Sequence, residues 1–391
     1  MSTFGRVVRV TTFGESHGEM VGCILEGIPP NTTVSEEKIQ HHLNRRKPGQ
    51  SSITTPRQEQ DIVRVLSGIQ NGVTLGTPVG LCVRNMDTRP EDYSRMREIP
   101  RPGHADVTYL YKYGVKSDSG GGRASARETV GRVLAGAVAL QYLETLGIKV
   151  VAWVHSVGNI SAPEELEVTS AEQVEEQGTL FIGKDKVVYK NSEAYFDENQ
   201  NQVCNFEPAE TVFVRCPHQP TAVKMAKSIR EAKAEGDSLG GVVRCKVYGV
   251  PPGLGEPCFD KFEALLAHAM LSIPATKGFE IGSGFQGTTM RGSQHNDLYM
   301  NTPNGLRPTT NRAGGVLGGI SSGAEIDFKV AFKPVSTISI PQETVNWEGK
   351  QTVLEARGRH DPCVLPRAVP IVEAMAAIVV ADLFLLQKLK Y

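Results

Sequence analysis

The chain has 391 residues, with 42 Lys and Arg against 43 Asp and Glu, a formal net charge of −1. That balance argues against general nucleic-acid affinity, which needs a basic excess, but leaves room for a locally basic pocket. The seven cysteines are scattered without a C-x-x-C pair, so neither a zinc site nor a disulfide framework is expected and a reducing, cytoplasmic setting fits.

We read no apolar run of membrane-spanning length. The first residues enter a strand-like pattern without a signal-peptide core. Residues 6–12 alternate as a strand and residues 20–25 form a second, apolar one. Between them Gly14-Glu15-Ser16-His17-Gly18 makes a glycine-flanked turn. His17 there is either a solvated loop residue or an acid oriented by Glu15 or Ser16. Residues 35–43 read as a short helix with Ile39 and Leu43 on one side, ending in Asn44-Arg45-Arg46-Lys47-Pro48-Gly49. Basic residues before Pro-Gly are ordinary C-terminal helix chemistry, and equally a clamp for phosphate or carboxylate. Strands are predicted at 51–55, 63–68 and 73–83, the last broken at Gly76-Thr77-Pro78.

Two prolines and a glycine stiffen the loop Pro100-Arg101-Pro102-Gly103-His104-Ala105-Asp106, which presents a cation and an imidazole. Tyr109, Tyr111 and Tyr113 follow. The stretch Gly120-Gly121-Gly122-Arg123-Ala124-Ser125-Ala126-Arg127-Glu128 runs glycines into a helix predicted over 125–146. Unpaired amides at a helix start, beside two guanidinium groups, make an anion site. Ser125 and Glu128 also have capping-box spacing, so a plain capped helix fits the same residues. Small residues such as Gly131, Ala135 and Gly136 permit close helix contact.

A strand at 149–154 precedes an acidic, polar segment, about 156–210, read as a peripheral insertion away from any site. Helices are predicted at 222–234 and 260–272, with strands at 242–250 and 325–332. His268, inside the second helix, reads as structural. Residues 277–285 carry strand and turn signals, and 311–323 form a second glycine-rich loop. Arg357-Gly358-Arg359-His360-Asp361-Pro362 precedes a long C-terminal helix over 367–388. Asp361 there is a turn residue or a carboxylate poised between arginines.

Loop histidines, arginines at element ends and glycine-rich loops together suit a polyanionic small molecule and proton transfer. The chain lacks a Walker A loop, a G-x-S-x-G elbow and a strand-linked G-x-G-x-x-G.

Four segments, Gly14-Glu15-Ser16-His17-Gly18, Arg101-Pro102-Gly103-His104-Ala105-Asp106, Gly121-Gly122-Arg123-Ala124-Ser125-Ala126-Arg127-Glu128 and Gly358-Arg359-His360-Asp361-Pro362, resemble the signature segments of the chorismate synthase family. They stand in family order and the likeness runs nearly end to end. Gly278-Phe279-Glu280-Ile281-Gly282 looks most like fungal-type members. The resemblance implies an α+β fold, a β-α-β sandwich with a helical layer between two antiparallel sheets, as a single domain over 1–391 with the insertion at 156–210. It implies 1,4-elimination of phosphate from 5-enolpyruvylshikimate 3-phosphate to give chorismate, with reduced FMN. It also implies a homotetramer without nucleic-acid or membrane partners. NADPH-dependent flavin reduction is a further activity of fungal-type members.

By the same resemblance, His17 and His104 would be the acid groups, near flavin and leaving phosphate respectively. Asp361 would help the flavin N5 take the substrate proton, and Ser16 and Ser125 would support both transfers. Arg46, Arg101, Arg127 and Arg359 would bind phosphate and carboxylates. Arg123, Ala124, Ser125, Pro274, Ala275, Gly318, Lys333, Pro334, Val335, Ser336, Thr337 and Arg359 would contact FMN. Ser52 stands where many members carry a basic residue, so no substrate or NADPH contact is assigned to it.

Overall fold

The computed structural model describes residues 2–87, 98–115, 121–184, 186–303, 305–356 and 360–390. Two five-stranded sheets enclose a layer of helices. In the first, the strands lie in the order Thr3–Phe4, Arg9–Gly14, Met20–Glu26, Val79–Arg84, Arg64–Ser67. In the second, the order is Thr276–Ile281, Ile326–Phe332, Gly241–Tyr248, Lys149–Val157, Ile160–Ser161. Every neighbouring pair in both sheets is antiparallel. The expected α+β sandwich is the architecture observed.

The layer is built on two helices that are apolar nearly all round, a pattern that only an interior position satisfies. Thr129–Glu144 packs on the first sheet, and Leu365–Lys390 on the second. In Thr129–Glu144 all but Arg132 and Glu144 are buried. Its glycines set how close it lies: a methyl on Gly131 would sit 2.5 Å from the Gly22 carbonyl oxygen. The expectation of no membrane-length apolar run is corrected by Leu365–Lys390, which is long and apolar enough, but whose apolar window is 89% buried inside the fold. Asp382, on this helix, accepts hydrogen bonds from the backbone amides of Arg6, Val7 and Val8 at 2.7–3.2 Å. Chain start and chain end are thereby locked together.

Three local expectations change. Residues 51–55 form no strand; Thr54 Oγ1 donates to the Ser51 carbonyl and accepts from the Ser51 amide, closing a turn. The helix expected over 125–146 starts at Thr129, after two 3₁₀ turns at Gly122–Ala124 and Ala126–Glu128. Ser125 caps the second turn through the Arg127 amide, while the Glu128 carboxylate turns to Arg132, so no capping box forms. The first helix, Glu36–Arg46, runs one turn further than expected and carries Arg45 and Arg46 into the interior.

Within 156–210, strands Ala194–Phe196, Val187–Asn191 and Thr179–Ile182 join Glu210–Phe213 in a separate four-stranded sheet, with the helix Ala171–Gln177 beside it. This segment reaches inward as well: Glu175 accepts from both Arg45 and Arg215 at 2.6 Å.

Candidate active site

The hairpin Arg9–Gly14/Met20–Glu26 presents the Ser16-His17 turn. Gly14 adopts φ +85° there, and a side chain would strike the Met20 carbonyl at 2.1 Å, so glycine is required. Ser16 is 1% exposed, and its hydroxyl lies 2.9 Å from His17 Nδ1. Asn85 staples the turn: its Nδ2 donates to the Glu15 and Gly18 carbonyls at 2.9 and 2.7 Å, and its Oδ1 accepts from Arg127 Nε at 2.8 Å. Arg123 holds the strand leading into the turn, donating to Gly14 O at 3.0 Å and Thr12 Oγ1 at 2.6 Å. Arg57 donates to Ser16 O at 3.3 Å and to the buried Glu59 carboxylate at 2.6 Å.

Behind the turn lies a buried charge cluster. Asp61, in the left-handed region at φ +50°, sets its carboxylate 2.6 Å from Arg127 Nη1 and 3.6 Å from Arg46 Nη1. Arg46 is 2% exposed and also donates to Thr129 Oγ1 at 3.0 Å and Ala126 O at 2.6 Å. Burial and then the charge of Arg367 push Arg46 well below the ordinary arginine value. A guanidinium stays protonated in proteins, so Arg46 is a buried cation with Arg367 and Arg127 nearby, a setting that an anion would relieve. Asp361 closes the cluster: its Oδ1 accepts from the Thr55 amide at 2.9 Å and its Oδ2 pairs with Arg367. Among the described residues Arg367 is its charged partner, and Arg367 Nε donates to the Arg46 carbonyl at 3.1 Å.

A second group faces the first across the glycine turn. The Asp106 carboxylate takes Arg101 through Nε and Nη2 at 2.8 and 2.6 Å, and His104 Nδ1 at 3.1 Å. The Gly103 carbonyl accepts from Lys333 Nζ at 3.2 Å and Ser336 Oγ at 2.7 Å. Burial and the charge of Lys277 lower Lys333 below its ordinary value. The Lys333 amide donates to Ala275 O at 2.9 Å, which brings Pro274-Ala275 alongside. Arg101, Ser336 and Thr337 line a narrow cleft. The two groups meet at Gly121, where a methyl would lie 3.2 Å from both His104 Cε1 and the Ser125 amide nitrogen.

Ser16, His17, Arg46, Arg123, Ala124, Ser125, Arg127 and Asp361 therefore form one connected set, and Arg101, His104, Pro274, Ala275 and Lys333 to Thr337 a second adjoining it. Arg359 and Gly120 lie outside the described residues. Gly318 is not joined to either set: its hairpin, Val316–Leu317/Ile320–Ser321, packs on residues 255–262, with Phe262 N donating to Gly319 O at 2.8 Å. A groove of about 570 Å³ between Phe279, Glu280, Phe285 and Arg312 holds none of the predicted site residues. Arg57, Glu59, Asp61, Asn85 and Arg367 escaped the sequence reading. The alternating charges of Arg57-Gln58-Glu59-Gln60-Asp61 were the available signal.

A sandwich whose glycine turns and buried arginines lie beside two histidines and a carboxylate fits an enzyme for an anionic, phosphorylated small molecule. The chorismate synthase family matches residues 8–385. Chorismate synthase of Schizosaccharomyces pombe is 52% identical, covering 99% of this chain and 97% of its own. That of Saccharomyces cerevisiae is 49% identical over 99% and 97%. A crystal structure of chorismate synthase superposes with a TM-score of 0.70 at 32% identity, covering 98% of this chain and 93% of the other. The chain belongs to the chorismate synthase family. Its activity is the 1,4-elimination of phosphate from 5-enolpyruvylshikimate 3-phosphate, a carbon–oxygen lyase reaction that yields chorismate.

Proposed function

We propose that substrate and reduced FMN lie together where the His17 turn, the Ser125 turn and the His104 loop adjoin. The single observation behind this is the cluster of buried arginines, Arg46 and Arg127 around Asp61 with Arg367 close by, in a chain of near-zero net charge. Both molecules carry phosphate, so the donor set fits them. Arg123, Ala124, Ser125, Pro274, Ala275 and Lys333 to Thr337 would hold FMN. When bound, reduced FMN supplies the electronic chemistry for a reaction without net redox change.

The chain's own residues handle binding and protons. Arg101 and Arg127 orient the phosphate and carboxylates. His104 protonates the leaving phosphate. His17, braced by Ser16, holds a proton beside the flavin. Asp361, fixed by Thr55 and Arg367, relays the substrate proton. The active form is a cytoplasmic homotetramer, 156–210 is an insertion on a single domain, and neither membrane nor nucleic acid is a partner.

The test is an anaerobic assay of purified protein with reduced FMN and 5-enolpyruvylshikimate 3-phosphate. Chorismate and phosphate in equal amounts are expected; dependence on no flavin at all overturns the cofactor assignment. NADPH oxidation in the presence of FMN, without added reductase, tests self-reduction of the flavin. Sedimentation velocity tests the tetramer.

A further inference from the structure

We infer that Asp106 is a positioning residue that sets which nitrogen of His104 is available to the substrate; this rests on the proton-donor role proposed for His104. One carboxylate serves two neighbours. Oδ2 accepts from the Arg101 amide at 3.1 Å and from Arg101 Nε at 2.8 Å, while Oδ1 accepts from Arg101 Nη2 at 2.6 Å and faces His104 Nδ1 at 3.1 Å. An acceptor-only partner at Nδ1 requires the ring to carry a proton there. Proton exchange then falls to Nε2, which makes no hydrogen bond among the described residues. The ring edge beside Nε2 turns to Gly121, where even a methyl would crowd Cε1 at 3.2 Å. The side chain of His104 remains 19% exposed, so a ligand reaches it.

The acceptor is built to stay ionised. Burial alone would raise the Asp106 carboxyl, but hydrogen bonds from Arg101 and His104 bring it far below the usual carboxylate range. Asp106 is also the first residue of the helix Asp106–Tyr113, where the backbone dipole favours negative charge. Arg101 and Asp106 are fixed to each other through three bonds, so the carboxylate cannot swing away from the imidazole. Lys333 and Ser336 grip the Gly103 carbonyl and hold the loop against that movement. The same carboxylate thus aligns an arginine for binding and a histidine for chemistry.

The experiment combines kinetics with imidazole ¹⁵N NMR of histidine-labelled protein. Asp106→Asn replaces a pure acceptor with an amide that can donate to Nδ1. The neutral ring is expected to move from the Nδ1–H toward the Nε2–H tautomer, with kcat falling at least about tenfold. Asp106→Glu keeps the charge and is expected to restore the tautomer and part of kcat; it also serves if Asp106→Asn folds poorly. In the double variant with His104→Ala, Asp106→Asn should change kcat by less than about twofold relative to His104→Ala alone, because its effect runs through the ring. A raised KM through Arg101 is expected in all Asp106 variants. A full, multiplicative kcat loss in the double variant, or an unchanged tautomer in Asp106→Asn, overturns the inference. If His104→Ala itself turns over normally, the role of His104 falls, whatever the tautomer shows.

Discussion

Gly136 and Ala374 put the two core helices in backbone contact: a methyl on Gly136 would lie 2.2 Å from Ala374 Cβ and 2.4 Å from its Cα. The helical layer that carries Arg127 and Thr129 at one end and follows Asp361 at the other is registered at this crossing. Replacing glycine by alanine inside an exposed helix ordinarily gains about 1 kcal/mol. Here overpacking outweighs that gain, and Gly136→Ala is expected to destabilise by about 1–3 kcal/mol. Urea denaturation measures it; a variant as stable as the parent would show that the helices separate without cost.

Asp61 is the only carboxylate within ion-pair reach of both Arg46 and Arg127 among the described residues. Asp61→Asn keeps shape and tolerates the positive φ, but leaves two buried guanidinium groups against a neutral amide. Removing one partner of a buried pair costs about 3–5 kcal/mol. A matching drop in unfolding free energy is the expected outcome. Added phosphate should recover part of it, by binding the native state alone; no recovery would count against an anion site there.

The assigned proton carriers give a sharper kinetic expectation. His104→Ala and Asp361→Ala are each expected to lower chorismate formation by about 10²-fold or more. Near-normal rates in both would remove their roles. Arg367→Ala should mimic Asp361→Ala in part, because the Asp361 carboxylate loses the Arg367 guanidinium.

Acid sensitivity follows from His42. Burial, followed by the charge of Arg45, pushes its imidazole down to about 3. The unfolded chain, with histidine near about 6.5, then binds the proton more readily than the native state. The stability contribution is whole above about pH 6.5 and is lost as pH falls toward 3. Chemical denaturation at pH 7.5 and pH 5 should show weaker stability at the lower value, and His42→Gln should shrink that difference. An identical difference in the variant would place the sensitivity elsewhere.

Much of this molecule was legible from residue order. Period and punctuation placed the strands at Arg9–Gly14 and Met20–Glu26 and the helices at Glu36–Arg46 and Leu365–Lys390 close to where they occur. These elements bury apolar faces whose spacing is written locally. The motif segments likewise placed His17, His104, Ser125, Arg127 and Asp361 in or beside tight turns, because glycines and prolines mark where a backbone bends. Residues 51–55 misled because Ser and Thr side chains took over the backbone's hydrogen bonds, a competition that composition does not reveal.

Only the tertiary structure decided who meets whom. Asp361 pairs with Arg367, Asn85 joins the His17 turn to Arg127, and Asp61 pairs with both Arg46 and Arg127. The pairings of Arg127 with Asn85 and with Asp61 each bridge dozens of residues, and their energy comes from burial, which excludes water and makes each partner obligatory. Local pattern sets the elements, because helix and strand periods are properties of neighbouring residues. Long-range electrostatic satisfaction sets the site, because it exists only once the sheets have closed over the helices.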